Sequence, residues 1–570
     1  MRPLDWAVML GTLASIVGFG MWRGRHSDNV KKYLLADKSM PWYAMALSIM
    51  ATQASAVTFI STTGQSYVDG MRFVQFYFGL PIAMVVISAF MMPAFHRANV
   101  YTAYEFLEKR FDSKTRSLVS VVFLIQRGLG VGVSLSAPAV VLTVLLGWPD
   151  YVTTVLIGTT VITYTVLGGI QAITWADVQQ MTVVFIGLFL ALTTAVWLLP
   201  AGVSFLDAVT LAGAAGKLNA VVFTFDWNDR FNIWSGLFGA TFLFLAYFGC
   251  DQSQVQRYLT GKSIAQSRLS LLFNALVKIP MQFFILFIGA MVFVFFTFEK
   301  PPLLFQKAEL DRIRGTGEYA QVQQRFDAAF EARKSAAYGL VEARRHGDSS
   351  RRRQSVERYR TADKSVEAAR SEGARLVEKT SSLAGFTDTN YIFLSFVTRY
   401  LPVGLVGLIL AAIFGAAMST ISAEINSLAT VSVIDLYQRH FRKSCSDRHY
   451  LRASRVLTAF WGVYAIVTAQ FIKNLGSLVV AVNLLGSLFY GGMLGVFALA
   501  FLCRRVGGTA AFFGVLAGEA AIFYAAIFTR ISFPWYNAIG CLVVVATGLA
   551  LSLVWPRRYS TMEATSTGER

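Results

Sequence analysis

Six ionisable residues lie inside otherwise apolar stretches: Arg127, Asp177, Asp251, Lys278, Glu424 and Glu519. Burying a charge in an apolar setting is costly, so each is a candidate for function. Asp177 opens its stretch, Glu424 lies near the end of another, and Glu519 can reach an edge or a polar seam, which makes these three interfacial on the sequence. Arg127, Asp251 and Lys278 sit deeper; they either serve a polar solute or pair internally to hold helices together. Two apolar stretches are interrupted by small and polar residues, at Ser48 to Phe59 and at Ala246 to Ser253. An interrupted helix frees backbone carbonyls and helix-end dipoles that can hold an ion or polar molecule away from lipid, although close packing through small residues has the same composition. A third segment, Ala416 to Ala423, sets Ser419 and Thr420 beside Ala416 on one helical surface. Hard cations are satisfied by such neutral and anionic oxygens; the hydroxyls can also bond back to the preceding turn.

Other chemistries find no support. The histidines form no HExxH pair, and Cys250, Cys445, Cys503 and Cys541 show no CxxC spacing. Thr260-Gly261-Lys262-Ser263 mimics the end of a phosphate-binding loop, but Gln256 stands where that loop needs its first glycine. No nucleophile–base arrangement is apparent. The expectation is a protein that is not an enzyme and uses neither nucleotide, nucleic acid nor organic cofactor.

The elements that must position these residues are membrane helices. Of 570 residues, 55% are hydrophobic and 15% charged, against about 25% charged in soluble domains. Stretches of roughly 20 apolar residues, enough to cross a ~30 Å hydrocarbon layer, recur along the chain. Thirteen spans are expected, near 5–22, 41–63, 73–96, 118–146, 150–167, 177–199, 233–256, 269–298, 390–425, 455–472, 475–502, 508–528 and 533–555. The first span lacks a strong basic start and a cleavage site, so it reads as a mature helix rather than a leader. The formal charge is +18. Lys and Arg concentrate in one set of short loops, around Arg23 to Lys38, Arg97 to Arg116, Arg257 to Arg268, Arg439 to Arg455, Arg504–Arg505 and Arg557–Arg558. The opposite loops hold little more than Arg72, Lys217, Arg230, Lys473 and Arg530. The positive-inside rule then puts the N-terminus outside and the C-terminus in the cytoplasm. A multi-pass protein of a bacterial inner membrane is expected.

Residues 299–388 differ: they carry 18 Lys+Arg and 14 Asp+Glu, a net +4. Two proline-free stretches rich in Ala, Glu, Arg and Gln predict a helical hairpin outside the membrane. It reads as a solvated cap or as a partner- or substrate-capturing domain; its partner is unknown. The chain divides into an N-terminal helix and loop (1–40), a first half (41–199), an external loop (200–232), a second half (233–503) holding the insertion, and two further helices with a short tail (504–570). The two interruptions fall five helices apart, which points to two five-helix halves with a binding site at midplane.

At these residues the sequence resembles the sodium:solute symporter family. Gly168 to Gln180 is similar to its GG-x-x-A-V-x-W-T-D signature, Ala416 to Thr420 with Asn426-Ser427 and Asp435-Leu436-Tyr437 to its eighth core helix, and Asp251 to Tyr258 to its sixth. The resemblance implies an all-α leucine-transporter-type fold with a 5+5 inverted repeat. It also implies a sodium site made by the carbonyls of Ala51, Ala54 and Ala416 with the hydroxyls of Ser419 and Thr420. A second sodium site, found in some members, would use Asp177 and Ser422, but Ala423 replaces its next hydroxyl, so one sodium per solute is expected. Similarity to the galactose symporter points to Gln53, Asp251, Lys278 and Asn483 as solute contacts, whereas Ser55 to Phe59 and Thr102 to Glu108 look more like the iodide, monocarboxylate and vitamin branch.

Charge arbitrates between these. Arg127 and Lys278 against Asp251 leave one excess positive charge, which a carboxylate-bearing anion would neutralise through the arginine fork. A sugar would instead use Gln53 and Asn483, with Lys278 and Asp251 paired. The expected function is sodium-coupled symport of a small organic solute by alternating access, a carboxylate first and a sugar second. A sensor built on a transporter fold and a passive channel are the readings of another class.

Overall fold

The computed structural model describes residues 1–25, 29–346, 348–381, 385–471 and 477–555. His26, Lys473, Arg557 and Arg558 lie outside the described residues. Among the described residues, nine helices are long and apolar enough to cross a membrane. Two of them double back. The run Thr58–Ala98 turns at Gly70, whose φ of +73° is left-handed, and separates α3 (58–69) from α4 (80–98). The run Asp150–Trp197 is divided at Gly169 (φ 58°, ψ −170°) into α6 (150–168) and α7 (170–197). The remaining single helices are α1 (Pro3–Gly24), α5 (Ser113–Leu146), α11 (Ile264–Phe298), α15 (Leu405–Phe441), α17 (Leu478–Leu502), α18 (Gly508–Phe528) and α19 (Pro534–Val554). α2 (Trp42–Gln53) continues into α3, α9 (Ser235–Gly249) continues into α10 (Gln252–Leu259), and the amphipathic α16 (Asp447–Phe471) completes thirteen rods.

Ten of these rods form two sets of five, α2/α3 to α7 and α9/α10 to α17, and each set opens with a broken rod. This is the all-α, leucine-transporter-type arrangement expected. The breaks have local causes. After Gln53, Ala54 leaves helical geometry (φ −85°, ψ 61°) within a run of small residues that cannot shield a continuous helix. After Gly249, Asp251 takes an extended conformation and caps α10, accepting from the Ser253 N–H at 2.9 Å and its hydroxyl at 2.7 Å. The fold at Gly169 is steadied by Tyr33, whose hydroxyl donates to Thr165 and Val166 carbonyls at 3.4 and 3.3 Å. α15 is buried along nearly its whole length among α1, α2, α5, α7 and α16.

One expected span needs correction. Residues 390–425 are not one helix: α14 (Thr389–Tyr400) ends before Pro402, and α15 starts after Gly404 (φ +85°) and runs to Phe441. Proline and a left-handed glycine between them break the chain direction. Glu424 therefore lies near the middle of α15 rather than at an end.

The insertion folds as α12 (Gly317–Arg345) against α13 (Ser349–Ser381), with a small core that includes Leu304, Ile313, Phe326 and Val377. Arginines fasten it to the membrane helices. Arg333 donates to the Phe296 carbonyl at 2.8 Å and pairs with Asp363 at 3.1 Å, and Arg370 pairs with Asp388 at 2.9 Å. Arg344 (2.5 Å) and Arg345 (3.2 Å) reach Asp207 on α8 (Phe205–Ala214). Burial would raise the Asp207 pKa, but its hydrogen bonds from Ser204 and from both arginines outweigh that and lower it to about 2. A carboxylate depressed below its unfolded value of ~3.9 stabilises the fold fully above that pH and loses the contribution as pH falls towards 2. Asp207→Asn is expected to make the hairpin more sensitive to limited proteolysis at pH 7, with the difference from wild type shrinking as pH drops from about 4 towards 2. Equal sensitivity at pH 7 would show that this clamp does not hold the hairpin.

Candidate functional site

Two sites meet where α2 breaks. The first lies between the end of α2 and the middle of α15. The Thr420 hydroxyl sits 3.1 Å from the Thr52 carbonyl and 3.2 Å from the Ala416 carbonyl, tying α15 to the last turn before the break. Ala51 and Ala54 are fully buried in that turn and just past it. Ser419, one position along α15, points to another helix and donates to Asp177 of α7 at 2.6 Å. Ser48 of α2 donates to the other Asp177 oxygen at 2.5 Å, and Arg257 of α10 lies 3.7 Å from that same oxygen. Asp177 is thus wholly buried, two turns inside α7 rather than at a membrane edge. Ser422 spends its hydroxyl on the Ser419 carbonyl at 3.0 Å. The structure therefore brings together α2, α7, α10 and α15 around clustered oxygens.

The second site is a cavity of about 100 Å³ whose wall includes Gln53, Thr58, Tyr77, Arg127, Tyr247 and Asn483. Thr52 and Thr420 belong to the same wall, so this oxygen cluster and the cavity share two residues. Arg127 of α5 organises the far side. It pairs with Glu424 of α15 at 2.8 Å, with Asp251 at the break between α9 and α10, and with the Tyr490 hydroxyl of α17 at 2.6 Å. Tyr490 in turn donates to Asp251 at 2.8 Å. One guanidinium thereby joins four elements, and its Nε–H has no partner among the described residues.

Three expectations change here. Glu424 is buried in this network, not interfacial, because α15 continues well past it. With Glu424 as a second carboxylate on Arg127, the positive excess expected from Arg127, Lys278 and Asp251 is not found. Lys278 does not pair with Asp251 and does not line the cavity: its ammonium lies 5.6 Å from the ring centre of Tyr77, which does, and has no hydrogen-bond partner among the described residues. Asp251 stands behind Arg127 rather than at the wall, whereas Gln53 and Asn483 are at it, each with its amide nitrogen tied back to its own helix at 3.2 and 2.7 Å. Tyr490, Tyr247, Ser48 and Arg257 were not singled out as site residues from the sequence. Arg257 lies within the motif that begins at Asp251, so its neighbours were visible; Tyr490 sits in an ordinary apolar helix and gave no signal.

The family model for the sodium:solute symporter family matches residues 33–303 and 377–518, on either side of most of the insertion. Among similar proteins, the sodium/sialic acid symporter NanT of Aliivibrio fischeri is 24% identical, with 96% of this chain and 92% of that protein aligned. Human sodium-coupled monocarboxylate transporter 1 is 26% identical over 93% of this chain and 74% of its own length. The sodium/glucose cotransporter of Vibrio parahaemolyticus is 23% identical over 96% and 91%. A solved structure of a Na⁺-coupled sialic acid symporter, substrate-bound and outward-open, superposes with a TM-score of 0.74 at 23% identity, covering 98% of this chain and all of that one. The broken helices, the shared fold and the family match lead to one conclusion: the chain belongs to the sodium:solute symporter family, as a multi-pass, sodium-coupled transporter of a small solute.

Proposed function

We propose that one sodium ion binds the carbonyls of Ala51, Ala54 and Ala416 with the hydroxyls of Ser419 and Thr420, and that its co-transported solute is a small carboxylate held in the adjoining cavity. The observation that carries the coupling is the wall shared by the two sites: an ion that draws Thr420 towards the end of α2 also sets the shape of the cavity at Thr52 and Gln53. Arg127 supports the solute class. Paired with Glu424 and Asp251, it is a permanent positive charge in the cavity wall, and a carboxylate can pair with it where a sugar cannot. The arginine fork suits planar anions. A volume of about 100 Å³, below the ~300 to 1,000 Å³ of larger ligand sites, favours a solute of few carbons. The sialic acid and monocarboxylate symporters among its relatives are named for carboxylate-bearing solutes. A sugar is the second reading, supported by Gln53 and Asn483 at the wall and by the glucose cotransporter relative.

The second sodium site does not form in this reading. The Arg257 guanidinium stands 3.7 Å from Asp177 as a fixed positive charge, and the Ser48 hydroxyl donates to the same oxygen. Sodium enters first, the solute follows, and both leave on the opposite side as one five-helix bundle rocks against the other. The uneven distribution of Lys and Arg supports an N-terminus outside and a C-terminus in the cytoplasm.

In proteoliposome counterflow, lactate or pyruvate should exchange well and galactose poorly; the reverse ranking would replace the carboxylate by the sugar. The sodium dependence of uptake should have a Hill coefficient near one, and a clearly higher value would restore the Asp177–Ser422 site. Thr420→Ala is expected to raise the sodium concentration for half-maximal uptake about tenfold, the effect of losing roughly 1.4 kcal/mol of ligation; unchanged sodium sensitivity would move the ion elsewhere. Arg127→Met strands two buried carboxylates and should cost about 3–5 kcal/mol of stability in detergent, much of it recovered when Asp251→Asn and Glu424→Gln are added. No recovery in the triple variant would mean the arginine acts through packing instead.

A further inference from the structure

The facing ends of α12 and α13 carry a basic cluster that shares no residue with the cavity wall. A recess of about 620 Å³ there is lined by Arg344, Arg352, Arg353 and Arg360, with Glu357 as the only carboxylate in its wall among the described residues. Arg344 is held by Asp207, and Arg360 donates to the Ala214 carbonyl at 2.8 Å and pairs with Glu357 at 2.8 Å. These contacts fix two of the four guanidiniums. Arg352 and Arg353 are exposed, and their side chains make no hydrogen bond or ion pair among the described residues.

The depth of this cluster sets what it can meet. Arg345 donates to the Gly202 carbonyl, next to α8. Phe205, the first residue of α8, packs its ring 6.1 Å from that of Phe287. Phe287 lies eleven residues before the end of α11 at Phe298, which is about 16 Å down the helix axis at ~1.5 Å per residue. The hairpin thus bends back below the top of the helix it caps. Phe205 and Leu206, next to Asp207, have 45% and 60% of their surfaces exposed, an apolar border of the kind that sits at a bilayer interface. Arginines beside exposed apolar side chains are suited to a headgroup layer.

We propose that this recess binds the phosphodiester of an anionic lipid in the leaflet on the hairpin's side. Guanidinium forks match phosphate oxygens in pairs, and basic side chains close to a membrane surface are drawn to anionic lipid. Arg344 and Arg360 frame the pocket, Arg352 and Arg353 close on the headgroup, and the acyl chains lie along Phe205 and Leu206. The lipid would pin the hairpin across the end of α11, which packs against the broken α2/α3 rod, so lipid composition would tune the stability of that end of the transporter.

The test uses the full chain in nanodiscs of phosphatidylcholine alone or mixed with phosphatidylglycerol. Thermal unfolding of wild type should rise by several degrees in the mixed discs, and the rise should fall by half or more in the R352Q/R353Q variant. Equal gains in both proteins would overturn the site. Inorganic phosphate added to phosphatidylcholine discs should not reproduce the shift; if it does, the recess is a site for free anions and the lipid assignment is wrong. A phosphatidylglycerol probe with a photoreactive headgroup reads the site even if the variant folds poorly. It should label the 344–360 segment of wild type where a phosphatidylcholine probe does not, and equal labelling or none would sink the proposal.

Discussion

A backbone carbonyl or N–H exposed within the hydrocarbon layer must find a partner inside the protein. The breaks after Gln53 and after Gly249 violate the continuous helix at the depth where that requirement is strictest, and the surrounding structure answers them. At the first, the Thr420 hydroxyl meets the Thr52 carbonyl, and the Thr58 hydroxyl donates to the Gln53 carbonyl at 3.1 Å. At the second, Asp251 caps α10, and the Tyr104 hydroxyl donates to the Cys250 carbonyl at 3.0 Å. The oxygens gathered for this purpose are hard donors of the kind that suit a small cation.

Arg127 extends the same logic to charge. A lone guanidinium at this depth would be prohibitive, and so would Asp251 or Glu424 alone. Together they hold α5, α15, α17 and the second break in one arrangement. Such a network has few intermediate states: when one helix shifts, paired charges must exchange partners rather than stretch. That suits a protein that alternates between two shapes. The cavity lies between this network and the oxygen cluster, with Arg127 and Glu424 in its wall on one side and Thr52 and Thr420 on the other.

Much of this organisation is visible in the chain itself. The clusters Ser48 to Phe59 and Ala246 to Ser253 mark the breaks because small and polar residues are out of place in an apolar helix. Ser419 and Thr420 stand out for the same reason. Glu424 was misplaced because Pro402 and Gly404 are weak signals inside a long apolar run, and a span started too early puts its end too early. Lys278 was legible as a buried charge but not as one shielded behind Tyr77, since side-chain direction depends on the packing of α11 against its neighbours. Tyr490 could not be found at all: an aromatic in an apolar helix is ordinary until its hydroxyl meets a charged pair. The insertion announced its helices through Ala, Glu and Arg, yet its docking through Asp207 depends on a contact nearly 140 residues away in sequence.

The central claim is that a sodium ion at the junction of the broken α2 and α15 drives solute movement through the adjoining cavity. Accumulation of labelled pyruvate in sealed proteoliposomes, with an inward gradient of Na⁺ compared against equal gradients of K⁺ or choline, tests it most directly. The account predicts uphill accumulation with Na⁺ alone, collapsing when the gradient is dissipated. Equal uptake with all three cations, levelling at the outside concentration, would contradict it.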